Sequence, residues 1–234
     1  MTVSTPVRNQ LLETLSKEEF ERLRRRLQPV PLPRGRILYD VGDNAGYVYF
    51  PISGVVSLLS ITESGEMVEV GMVGKEGTTC IPVITHQQHM PYRLLIQIAG
   101  EAVRIEAKAA RDEFLRGGRF HHLLICHTHS LFAQIAQSAV CNRFHMADAR
   151  FCRWLLEMHD RVESNDMQLT HEIVSNMLGV ERAHVSRTAR SLQKAGLISY
   201  RYGEITIRDR NGLEAASCEC YRVVKQTVTD CLAA

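Results

Sequence analysis

Glycine and proline crowd residues 29–118 of this chain and then disappear between Arg119 and Gly179. Proline locks φ and glycine frees it, so a stretch dense in both turns often, and a stretch without them runs in helices. The pattern predicts an α+β protein, turn-rich strands first and helices after. The 234 residues are 45% hydrophobic and 23% charged, enough apolar material for a real core and too much for wholesale disorder.

The strand half is legible in short branched and aromatic runs: Ile37-Leu38-Tyr39, Tyr47 to Phe50, Val55 to Ile61, Met67 to Met72, Leu94 to Ile98 and Ala102 to Ile105. Short strands separated by glycine turns predict a jelly roll, or double-stranded β-helix, over residues 1–118. Ahead of it, the first fifteen or so residues read as a tether. Ser16-Lys17-Glu18-Glu19 reads as a capping box opening a helix that buries Phe20, Leu23 and Leu27. Pro29, Pro31 and Pro33 end that helix.

From Glu106 the period changes. Ala107 to Arg116 predicts a short helix stopped by Gly117-Gly118. Phe120, Leu123, Leu124, Leu131, Phe132, Ile135, Ala136, Ala139 and Val140 then recur at spacings of three and four, with His127 and Thr128 completing the stripe, predicting one long helix over 119–146. Its stripe exceeds what the roll can cover. A second copy of the chain is the expected partner, through Leu124, Leu131, Ile135 and Ala139. A hinge is expected near 142–146.

Residues 147–234 carry the clearest signal. Thr170 can cap a helix running to Leu178, and Gly179 supplies the turn to a second helix from about Arg182. Val185, Ala189 and Leu192 form that helix's buried face, and Arg182, Arg187, Arg190 and Lys194 line the opposite one. From Arg182 to Arg210 seven Lys or Arg stand against two acids, a local charge of +5 in a chain whose net charge is +2. That concentration is the footprint of a duplex-binding surface. Leu197 to Ile207, turning at Arg201-Tyr202-Gly203, predicts a β-hairpin wing. Arg182 and Arg187, with His184, fall to base edges. Thr170, Ser186, Arg190 and Arg201 fall to phosphate.

Roll, long helix and winged helix-turn-helix, with Gly42-Asp43, Tyr49 to Ser57, Val73-Gly74-Lys75-Glu76-Gly77 and Leu169 to Val180, together resemble the Crp/Fnr family of bacterial transcription regulators. The resemblance implies a homodimer on a palindromic operator, and RNA polymerase as a further partner. It places Arg182 and Arg187 where the family reads bases. Ala183 stands where many members carry a base-reading side chain.

The same resemblance raises the question of input. Cyclic-nucleotide binders carry a Gly-Glu pair and a returning Arg-Ser or Arg-Thr; here the returning segment is His89-Met90-Pro91-Tyr92-Arg93. Glu76, Gly77 and a displaced Arg93 are what remains of an anion pocket, and cyclic nucleotide is not expected. No cysteine precedes Cys80, so an N-terminal iron–sulfur site is not expected either. His86, His89, His121, His122, His127 and His129 form no haem motif, and no cofactor or metal is predicted. Cys218-Glu219-Cys220 falls in an expected C-terminal helix, where neighbours two apart face different ways. Cys80 and Cys141 read as lone core residues.

The alternative function is a cyclic-nucleotide-type module acting on a protein partner, which the basic helix and wing argue against. An enzyme of the metal-cage type is excluded by the absence of histidine from residues 34–85. Seven cysteines, an odd number, predict a reducing cytoplasm. No apolar run approaches the ~20 residues of a membrane span.

Overall fold

The computed structural model describes residues 8–79, 84–85 and 89–233. Two short helices open the fold, α1 (Gln10–Glu13) and α2 (Lys17–Arg24). Residues 1–7 of the expected tether lie outside the described residues, and from Asn9 on the segment is docked. Buried Asn9 donates to the carbonyls of Pro51 (2.8 Å) and Gly77 (3.0 Å) and accepts from Leu12 N (3.3 Å), while Leu11 and Leu12 enter the core. A fully satisfied buried amide anchors a segment that its polarity alone would leave loose. The capping box forms: Ser16 Oγ accepts from Glu19 N (3.2 Å) and donates to the Glu19 carboxylate (2.8 Å). That carboxylate also accepts from Phe120 N at 3.2 Å, so one side chain serves two helix starts.

The roll is two antiparallel sheets. One, in the order β1-β7-β3, holds β1 (Gln28–Leu32), β7 (Gly100–Glu106) and β3 (Tyr47–Pro51). The other, β2-β6-β4-β5, holds β2 (Ile37–Tyr39), β6 (Arg93–Ile98), β4 (Val55–Ile61) and β5 (Met67–Val73). The first strand therefore begins earlier than expected and contains Pro29 and Pro31. It is an edge strand paired only with β7, and an edge tolerates residues with no amide to donate.

Helix α3 (Ala107–Leu115) leads into α4 (Gly118–Phe144), which spans 27 residues. His145 and Met146 separate it from α5 (Ala147–Arg161), within the expected hinge. Beyond lie β8 (Asp166–Gln168), α6 (His171–Leu178), α7 (Arg182–Lys194), β9 (Ile198–Arg201), β10 (Glu204–Ile207), α8 (Arg210–Ala216) and α9 (Cys220–Ala233).

Helix α4 corrects the expected dimer seam. Leu124 and Leu131 are 1% and 4% exposed, packed into the roll's own apolar clusters, and Ile135 packs partly there. The inward stripe also takes polar residues: Gln134 accepts from Met72 N (2.8 Å), and His127 bonds the backbone of Thr78. Burial holds His127 below the ordinary imidazole range, hence neutral. Gly77 permits its approach, because a Cβ there would sit 2.3 Å from the ring. The face turned to solvent carries Ile125, Phe132, Ala136, Ala139, Val140 and Phe144, with Phe132 69% exposed.

The core continues across the hinge. Val55, Leu59 and Met72 of the roll share one cluster with Trp154, Leu155, Val174 and Leu178. Polar pins accompany it. Trp154 Nε1 donates to buried Glu69 (2.7 Å), Arg161 Nε donates to Glu76 (2.7 Å), and Lys75 pairs with Glu163 (3.1 Å). No helix among the described residues is long and apolar enough to cross a membrane.

Candidate nucleic-acid interface

Thr170 caps α6, its hydroxyl accepting from Ile173 N at 3.3 Å. Gly179 ends that helix at φ +61°, ψ +44°, a left-handed conformation that a side chain would oppose. α7 follows after Val180 and Glu181. Val185, Thr188, Ala189 and Leu192 face inward, so Arg182, Arg187, Arg190 and Lys194 face out. None of these four forms an ion pair within the described chain. β9 and β10 form the wing, turning through Tyr202 (φ +50°) and Gly203 (φ +79°). Two positive φ values make the tight primed turn of a hairpin, and they leave Tyr202 fully exposed at the tip. Arg201 and Arg208 are exposed on the same wing.

Two helices and wing are locked together. His171 stacks on Tyr200 at 4.2 Å and bonds Ser186 Oγ at 2.9 Å. Ser186 Oγ in turn donates to the Arg182 carbonyl (3.0 Å). Ser186 is thus turned into the helix pair rather than out to a phosphate, a correction of its expected role. His184 is corrected likewise. Its Nε2 donates to Asp148 on α5 at 3.0 Å, and its Nδ1 accepts from Arg187 at 3.4 Å, so it braces Arg187 instead of offering itself to a base. Arg210 also leaves the basic surface, turning to Asp160, Glu214 and Tyr221.

The expected anion pocket does not assemble. Arg93 forks onto Asp40 at 3.0 and 2.7 Å, and the pair holds Asp40 below the usual carboxylate range. Glu76 faces Arg161 and accepts from Gly74 N at 3.1 Å. Gly77 lies under His127. Instead, a cavity of about 330 Å³ opens between the roll, α5 and α9, lined by Lys75, Glu76, Asp160, Arg161, Tyr221 and Lys225.

Cys80 and His86 lie outside the described residues. Sequence reasoning missed Cys141 as anything but a lone core residue, and missed His145 altogether. Both approach Cys218 and Cys220, the four ligand atoms lying within 4.8 Å of one another. The available signal was the spacing of four from Cys141 to His145, one face of a helix.

A basic helix seated behind a glycine turn, braced from the rear and flanked by a wing, is a winged helix-turn-helix carried on a β-roll. Residues 149–216 match the family model of the Crp-like helix-turn-helix domain. The anaerobic regulatory protein of Haemophilus influenzae is 23% identical over 222 residues, covering 86% of this chain and 80% of its own. Among solved structures, a protein described as a Crp/Fnr-family regulator from Eubacterium rectale superposes with a TM-score of 0.66 at 19% identity, covering 88% of this chain and 96% of that one. FixK2 of Bradyrhizobium japonicum gives 0.67 at 15% identity, covering 82% and 98%. Residues 149–216 thus carry a Crp-like helix-turn-helix domain, and the chain shares the fold of these solved structures.

Proposed function

We propose that the chain acts as a homodimer on a two-fold symmetric operator, each copy laying α7 into a major groove. The observation that carries this reading is the outward row of Arg182, Arg187, Arg190 and Lys194 without a carboxylate partner. Arg182 and Arg187 are assigned to base edges, where a guanidinium fork matches guanine O6 and N7. Thr170, Arg190, Arg201 and Arg208 are assigned to phosphate, beside the N-terminus of α6 and on the wing.

The dimer seam is assigned to the exposed face of α4, around Phe132, Ala136, Ala139 and Val140. An apolar stripe of that length in water favours a second copy. Phe132→Glu is expected to lower dimer affinity by about 100-fold, roughly 3 kcal/mol, because a charge enters an apolar seam. Sedimentation equilibrium reads it, and an unchanged dimer moves the seam elsewhere.

Cyclic nucleotide is not proposed as effector, since Arg93 is engaged by Asp40 and Glu76 by Arg161. Selection of bound DNA from a random pool tests the whole reading. It is expected to enrich an inverted repeat with half-sites about one helical turn apart. No enrichment, or binding without steep salt dependence, overturns it.

A further inference from the structure

Four side chains meet where the long helix ends. Cys141 lies in the last turn of α4 and His145 is its C-terminal cap, four residues on. Cys218 stands in the turn before α9, and Cys220 is that helix's first residue. Cys218 therefore precedes the helix, and the rule that keeps neighbours two apart from facing one another does not apply. Sγ of Cys141 and Sγ of Cys218 are 3.5 Å apart, and Sγ of Cys220 is 3.4 Å from His145 Nδ1.

We propose that Cys141, His145, Cys218 and Cys220 form a tetrahedral site for one thiophilic divalent cation, zinc in the first instance. The dimensions fit. Zinc–sulfur bonds of about 2.3 Å and zinc–nitrogen bonds of about 2.05 Å give tetrahedron edges of about 3.8 Å between sulfurs and 3.6 Å from sulfur to nitrogen. The Cys141–Cys218 and Cys220–His145 separations lie within a few tenths of these, and all four ligand atoms lie within 4.8 Å of one another. An iron–sulfur cubane spreads its thiolates wider than the 4.8 Å that encloses all four ligand atoms here.

The surroundings are those of a metal ligand set rather than of idle core cysteines. His145 turns Nδ1 to the cluster and Nε2 to Glu219, whose carboxylate lies 3.3 Å away. A carboxylate on the far nitrogen fixes the tautomer and raises the basicity of the ligating one. Gln137 donates to Cys220 Sγ at 3.0 Å, a bond that favours the thiolate. Three thiolates and a neutral imidazole around a dication leave one net negative charge. The fields of buried Arg150 and Arg153 reach these sulfurs and offset it. Binding replaces three S–H bonds with three sulfur–metal bonds and releases three protons to solvent, with no change of oxidation state. Such a site staples α9 to the junction of α4 and α5, across 77 residues of sequence.

The test uses the full chain, purified under reductant, stripped with chelator and titrated with cobalt(II). About one equivalent is expected to produce a thiolate-to-cobalt charge-transfer band and the intense visible bands of a tetrahedral site, both erased by zinc. Cys220→Ala and His145→Ala are expected to lose stoichiometric binding, and Cys126→Ser to keep it. Glu219→Gln is expected to weaken zinc about 10- to 100-fold. Circular dichroism confirms that each variant is folded, and the wild-type spectrum stands without any variant. A folded wild type lacking the charge-transfer band, a band that survives in Cys220→Ala, or a Cys141–Cys218 disulfide persisting under reductant each overturns the site. None of these readouts depends on DNA binding.

Discussion

Helices α5 and α7 are near neighbours that are both rich in arginine, and they use it in opposite ways. On α5, Arg150, Arg153 and Arg161 are buried: Arg150 donates to the Leu178 carbonyl, Arg153 pairs with Glu157 at 2.9 Å, and Arg161 with Glu76 at 2.7 Å. On α7, Arg182, Arg187 and Arg190 are exposed and lack any carboxylate. A buried guanidinium must have its partners inside the protein, because removal from water costs several kcal/mol. An exposed one needs none, and its donors stay available to phosphates and bases. The contrast teaches that arginine content alone does not locate a DNA surface. The partners do, and here they divide one domain into a face that grips the roll and a face that is left open.

The largest effect is expected on the gripping face. Arg161→Ala leaves half-buried Glu76 without its cation and is expected to destabilise the fold by about 3 kcal/mol, read by urea denaturation. Replacing both, as Arg161→Met with Glu76→Met, is expected to recover most of that loss. If Arg161→Ala costs less than about 1 kcal/mol, the helices do not differ in the way described.

Next comes Glu69, between Ser57 and Trp154 at the same interface. Burial pushes its carboxyl up from 4.5 to about 7, against the lowering by its two hydrogen bonds. The folded state therefore holds a proton that the unfolded chain has released. This contribution is fully present below pH 4.5 and is lost as pH rises to about 7, so the wild type is expected to weaken across that window and level off above it. Glu69→Gln keeps an acceptor for Trp154 and a donor for Ser57. It is expected to equal the wild type near pH 4 and exceed it at pH 8 by up to about 3 kcal/mol, at 1.36 kcal/mol per pKa unit. Thermal melts from pH 4 to 8 decide it; parallel curves exclude Glu69 as the titrating group.

What could be read before folding follows the same division between local and distant causes. Strand runs, the capping box at Ser16 and the glycine at 179 depend on residues close in sequence, and each stands where periodicity placed it. The face of α4 that meets the roll is a tertiary choice. Apolar residues lie on two of its sides, and spacing alone does not say that Leu124 and Leu131 turn inward while Phe132 and Val140 turn out. Asn9 docks through carbonyls 42 and 68 residues away. The local charge count included Arg210, which closes onto Asp160 across 50 residues. A strand bearing two prolines reads as a helix terminator unless its edge position is known.

Smaller effects test the open face. Arg187→Ala is expected to weaken specific operator binding by about 1–3 kcal/mol, roughly 5- to 150-fold, at unchanged melting temperature. A drop in stability instead would show that its contact with His184 is structural. Arg190→Ala is the finest probe. Arg190 lies one turn further along, exposed, with its Nε on the Ser186 carbonyl at 3.2 Å. A phosphate contact carries no sequence information, so the variant is expected to bind every sequence more weakly by a similar factor. It should also reduce the slope of log K against log salt by about 0.9, one counterion's worth on duplex DNA. A changed operator preference at an unchanged salt slope would move Arg190 from the phosphates to the bases, and would mean that the docked angle of α7 brings its third turn, not only its first two, against the floor of the groove.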